Sequence, residues 1–143
     1  MNYTRLALAA VVAAIVDMVY GFAVYGTALT SEFGRYPDVF RPMDAITAKI
    51  PFMIVGTLVA MFAVAYIYAK GYEGGSGVQE GLRFGALMGL FGVGYIAVGN
   101  YVVMNIGRRL AVSMAVAGFV EWVVVGMALG VMYKPAGKTS SGR

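Results

Sequence analysis

Two carboxylates stand in surroundings that offer them no obvious counter-charge. Asp17 lies in AIVDMVYGFAVYG (14–26) and Glu121 in FVEWVVVGMALGVM (119–132), each inside a run of otherwise uncharged, mostly apolar residues. No Lys or Arg falls in the central part of either run. Two acids without a cation persist in such a setting by protonation, by sharing one proton, by binding a metal ion or a cationic ligand, or by contact with water and polar side chains. The polar side chains on offer are Tyr20, Tyr25, Thr57, Tyr95, Asn100, Tyr101, Asn105 and the Trp122 indole. On a helix, Tyr20, Gly21 and Val24 share the face of Asp17, and Ala117, Gly118 and Val125 share that of Glu121. Each acid thus has a small residue one turn away, which leaves room for a partner. The candidate proton or ligand site is Asp17, Glu121, Tyr20, Tyr95 and Asn100. Three readings of it stay open: neutral carboxylic acids hydrogen-bonded to backbone or tyrosine, a proton- or cation-coupled site, and recognition of another membrane subunit.

The elements that must position these residues follow from hydropathy. The chain has 143 residues, of which 60% are apolar and 13% charged, with a mean hydropathy of +0.76; soluble proteins carry about 25% charged residues. Apolar stretches run over about 6–29, 50–69, 82–106 and 110–133, each near or above the roughly 20 residues that cross a bilayer core as a helix. The expectation is therefore an all-α polytopic membrane protein, a bundle of four transmembrane helices forming a single domain over 1–143. The first stretch is too long for the apolar core of a signal peptide and lacks a clear cleavage site, so it reads as a retained helix. Asp17 and Glu121 then both fall near the bilayer midplane, where a charge costs at least about 2.5–3.5 kcal/mol and acids usually face a bundle interior.

Packing signals are strongest in the third stretch. Gly81, Gly85 and Gly89 fall on one face, with Gly92 a turn further on. Small residues at that spacing let a second backbone approach closely, which is how helices associate when lipid removes the hydrophobic drive. This predicts a central position for the third helix. Gly126 and Gly130, and Ala111, Ala115 and Gly118, repeat the device in the fourth helix. Pro51 suits a first helical turn, where its missing N–H costs nothing. The 30–49 segment, with Phe33, Tyr36, Val39 and Phe40 interleaved with charges, reads as an interfacial loop. Tyr66, Tyr68 and Tyr72 beside Lys70 read as an aromatic belt with a snorkelling cation.

The absence of Cys and His from the sequence removes disulfides, thiol nucleophiles, iron–sulfur ligation and the commonest haem and zinc ligands. No metal site, cofactor or catalytic arrangement is expected. The net charge of +4 with a basic tail over 134–143, YKPAGKTSSGR from Tyr133, suits anionic lipid heads, and no nucleic-acid role is supported. With the N-terminus inside, Arg5, Lys70, Arg83, Lys134, Lys138 and Arg143 are cytoplasmic, and Arg35, Arg41, Lys49, Arg108 and Arg109 lie outside. That small excess favours both termini in the cytoplasm and a multi-pass protein of the inner (plasma) membrane.

YAKGYEGGSGVQEGLRFGALMGL (68–90) and FVEWVVVGMALGVMYKP (119–135) resemble a family of small four-helix bacterial integral membrane proteins of unassigned function. In that family a KGYEG-type loop leads into an EGxRxG helix start, and a last helix carries Glu and ends in YKP. The matching positions here are Lys70, Gly71, Tyr72, Glu73, Gly74, Glu80, Gly81, Arg83, Gly85, Glu121, Tyr133, Lys134 and Pro135. The resemblance covers the C-terminal half well and the first helix loosely, and implies topology without implying an activity. The design is also similar to that of small multidrug resistance transporters, which have four helices and an acid in the first. This chain is longer, has a larger first loop and lacks that family's pattern. The function expected is a proton- or cation-coupled carrier or ligand-binding protein using its midplane carboxylates. The alternative is a non-enzymatic accessory subunit, with the bilayer and a homo-oligomer or larger membrane complex as partners.

Overall fold

The computed structural model describes residues 1–133, so the basic tail, with Lys134, Pro135, Lys138 and Arg143, lies outside the described residues. Four helices are long and apolar enough to cross a membrane: α1 (Tyr3–Ala28), α2 (Ile50–Gly71), α3 (Gly77–Val103) and α4 (Arg108–Met132). They form an all-α bundle of the kind expected for a multi-pass membrane protein. α1 starts at an Asn2 cap whose side chain accepts the Arg5 N–H at 3.1 Å, and α2 has its proline in the first turn. α1 widens into a π-helical turn at Val24–Ala28, and α3 does so at Gly92–Ala97.

The first and last spans hold close to their expected limits. The third begins earlier than residue 82, at Gly77, and ends at Val103. Its start is fixed by Glu80, whose carboxylate turns back to accept the Glu73 N–H at 3.1 Å and the Gly75 N–H. The polar run Gln79–Glu80 is thereby absorbed as a first turn rather than left as loop. Gly74, with φ +92°, makes the preceding turn in a region that favours glycine.

In space the helices follow the order α2, α1, α4, α3. Ala9, Ala10, Ala13 and Ala14 of α1 are fully buried and form a seam with Met61, Val64, Ala65 and Tyr68 of α2 and with Val125 and Leu129 of α4. The most extensive contact is between α3 and α4. There Gly77 and Gly81 face Gly130 and Gly126, and Gly85 faces Trp122 and Val123, in an antiparallel run of backbone against backbone. A Cβ on Gly85 would lie 2.8 Å from Val123 Cα, and one on Gly126 would lie 2.6 Å from Gly85 Cα, so neither side has room for a methyl group.

The expectation that α3 occupies the centre is corrected. Its buried residues Gly81, Gly85 and Gly89 all face one partner, while Leu82, Leu87, Leu90, Phe91, Tyr95 and Ile96 point outward. A single glycine stripe admits a single close neighbour, so α3 is peripheral. α1 and α4 are the inner pair. Tyr68 corrects a second expectation: it is only 3% exposed, with its ring edge-on to Tyr72, Phe84 and Tyr133. Two residues from Tyr66 is the opposite side of a helix, and the Met61–Ala65 stripe carries Tyr68 inward. Tyr66 alone keeps the belt geometry, with Lys70 Nζ 5.5 Å from its ring centroid.

The glycine seam yields a contrast testable by thermal unfolding in detergent. Gly85→Ala should destabilise by about 1–3 kcal/mol, the usual cost of forcing volume into a packed contact, and Gly85→Leu should abolish a folded monodisperse species. Gly56→Ala and Gly99→Ala, where an added Cβ meets nothing within 4 Å, should leave the melting temperature unchanged or raise it.

Candidate midplane site between the first and fourth helices

α1 and α4 run antiparallel, so the middles of both meet at the same depth. Asp17 sits on α1 just beyond the alanine seam, and Glu121 on α4 just before Val125, both half-buried. Gly21 separates them: a Cβ there would lie 3.9 Å from Glu121 Oε1, leaving room for the carboxyl group. One further turn along α1, the Tyr25 hydroxyl donates to Glu121 Oε2 at 3.0 Å. Tyr20 donates to the Ala117 carbonyl at 2.9 Å, one turn before Glu121. The two tyrosine rings stand edge to face at 6.4 Å. Asp17 stands one turn before Gly21 on the same face of α1. It has no hydrogen bond to any described residue, and neither acid has an ion-pair partner among them.

The expected site is thus assembled in part. Asp17, Glu121 and Tyr20 come together. Tyr95 does not: it is 75% exposed on the outer face of α3 with its ring stacked on Phe91. Asn100, half-buried in the last turns of α3, has no hydrogen bond to either acid. Their helix lies on the far side of α4. Trp122 also turns from the site, its Nε1 lying 3.3 Å from where a Gly92 Cβ would stand. Tyr25 takes the place of these residues: one turn beyond Gly21, it continues the stripe of Asp17 and Gly21. The π-helical turn of α1 begins beside it, at Val24. The signal for it was the Gly26–Thr27 pair, whose Thr27 hydroxyl bonds back to the Ala23 carbonyl.

A second polar cluster went unread in the sequence. Glu32, 9% exposed in the first loop, accepts Arg109 Nη2 at 2.9 Å and lies 3.7 Å from Arg35 Nη1. Beside it the Gly107 N–H, at the cap of α4, donates to the Tyr36 hydroxyl at 3.0 Å. A cavity of about 350 Å³ opens between residues 35–39 and 105–107. The first loop is consequently tied to α4, with Phe33 and Phe40 packed at 4.9 Å within it. Among the described residues no three His, Cys, Asp or Glu side chains converge as a metal site would require.

No family model, curated protein or solved structure matches this chain, so the geometry alone carries the chemistry. That geometry is two carboxyls on facing helices, one held by a tyrosine donor and the other without a hydrogen bond among the described residues, both half-buried.

Tyr25→Phe should destabilise the protein by about 0.6 kcal/mol, the average for a side-chain hydrogen bond between membrane helices. The loss should vanish in an E121Q background if it comes from that bond. Tyr95→Phe should change nothing. Denaturant titration in mixed micelles measures all three.

Proposed function

We propose that the chain is a small membrane carrier in which Asp17 and Glu121 form one site that exchanges protons for a cationic or amphipathic solute. The observation that supports this reading most directly is the Tyr25–Glu121 hydrogen bond, with Asp17 one turn from Gly21 on the facing helix and no Lys or Arg paired with either acid among the described residues. With both carboxyls protonated the site is neutral. A monovalent cation that enters as one proton leaves keeps it so, and avoids the cost of net charge at that depth. Tyr25 can donate to Glu121 in either state, which holds that carboxyl in place through the exchange. Asp17, without such a bond, is the group free to turn toward the solute.

The site lies where the bundle changes character. Toward the N-terminus of α1 the seam is dry and closed. Toward the first loop, Ile50, Phe52, Met53, Ile54 and Val55 of α2 are all exposed, so that helix stands away from its neighbours. Placement in the inner membrane with both termini cytoplasmic belongs to the same proposal, as does membership of the four-helix family that the C-terminal half resembles.

A second reading, an accessory subunit of a larger membrane complex, is favoured by the same unpartnered stretch of α2. Purification from the native membrane in mild detergent separates the two, since a stoichiometric partner supports the subunit and a lone homo-oligomer the carrier.

The carrier reading is tested in proteoliposomes with an imposed pH gradient and tetraphenylphosphonium as the cation. Wild type should accumulate the probe in response to the gradient. Asp17→Asn and Glu121→Gln should elute as folded protein of unchanged size yet lose that response, and the double variant should add little to either, as expected for one shared site. Gradient-driven uptake that survives in both single variants would sink the proposal.

A further inference from the structure

Away from the acids, a shallow apolar groove of about 170 Å³ runs along the outside of the bundle between the end of α3 and the start of α4. Its walls are Ala97, Val98 and Tyr101 on one side and Ala111, Val112 and Ala115 on the other, with Arg108 at its mouth. The three alanines make it concave. The π-helical turn at Gly92–Ala97 ends where the groove begins, and the α3–α4 glycine seam has by then given way to larger residues.

Arg108 and Arg109 are neighbours with different situations. Arg109 is held by the buried carboxylate of Glu32 at 2.9 Å. Arg108 is exposed and has no ion-pair partner among the described residues. It occupies the first turn of α4, the end of a span long enough to cross a bilayer. From Arg108 to Ala115 the helix rises about 10 Å, some two thirds of the roughly 15 Å hydrocarbon depth of one leaflet.

We propose that this groove is a binding site for one anionic phospholipid, with an acyl chain along Ala97, Ala111 and Ala115 and the phosphate on Arg108. A fixed positive charge above an apolar trough matches the two ends of such a lipid. A free anion would use only the arginine, and a neutral lipid only the trough. Glu32 keeps Arg109 aimed at the first loop, so the selectivity for charge resides in Arg108. The proposal is independent of the carrier reading.

Native mass spectrometry of the full chain in detergent, with palmitoyl-oleoyl phosphatidylglycerol or the matching phosphatidylcholine added, provides the test. One phosphatidylglycerol per chain should be retained at collision energies that strip phosphatidylcholine. Arg108→Gln, at an exposed position where folding is not at issue, should lower that retention about fivefold, the worth of one arginine near an anionic surface, and Arg108→Lys should restore most of it. Ala111→Leu, which fills the trough, should remove retention while leaving the charge intact. Excess inorganic phosphate should not displace the lipid. Equal retention of the two lipids by wild type, unchanged retention in Arg108→Gln, or displacement by phosphate would each overturn the proposal.

Discussion

Close approach of backbones is the constraint on which the rest of this structure depends. Inside a bilayer, lipid chains are as apolar as leucine, so helices gain little by hiding apolar side chains from them and must gain instead from van der Waals contact and weak Cα–H···O bonds. The chain meets that demand twice. Gly77, Gly81 and Gly85 bring α3 onto α4 at Gly130, Gly126 and Trp122, and Ala9, Ala10, Ala13 and Ala14 bring α1 against α2 and α4. Both seams lie in the same half of the bundle. The aromatic group of Tyr68, Tyr72, Phe84 and Tyr133 closes that half at its end.

The other half inherits what the seams do not hold. Past Ala14 no residue of α1 is fully buried, and on α4 between Leu110 and Val125 all but Ala117 are half-buried or exposed; it is there that the two carboxyls stand. A dry, closed seam has no space for a carboxyl, and an open lipid face offers it no partner. The boundary between the two offers both, in Gly21 for space and Tyr25 for a donor.

The looser half is not left unsecured. The first loop returns over the start of α4 and fixes it by the Glu32–Arg109 ion pair and the Tyr36–Gly107 hydrogen bond. Glu32 is buried enough that its pairing with Arg109 matters more than that of a surface pair, because an unpaired charge there would carry its desolvation cost uncompensated. The effect is to anchor α4, which carries Glu121, to the segment that leaves α1, which carries Asp17. The two helices that share the candidate site are thus linked at three heights: the alanine seam, the tyrosine bonds and the loop.

The sequence by itself determined the class and much of the layout. Hydropathy over long runs fixes four spans, because a bilayer leaves a polar backbone few alternatives to a helix of that length. The spacing of Gly81, Gly85 and Gly89 fixes a close-packing face for the same reason, and the depth of Asp17 and Glu121 follows from counting residues. What spacing could not supply is direction. A glycine stripe says that a neighbour comes close and leaves its identity open, so α3 was expected inside and is found outside α4. Likewise a polar residue at the right depth can face any of its surroundings. Tyr95 and Asn100 ride on the helix beyond α4, and both lie past the level of Glu121, which α3 meets between Gly85 and Gly89. Tyr25 joins Glu121 across 96 residues of chain, and Glu32 finds Arg109 across 77. Those pairings depend on which helix lies beside which, and that order is a property of how complete faces fit together, carried by no single stretch of the chain.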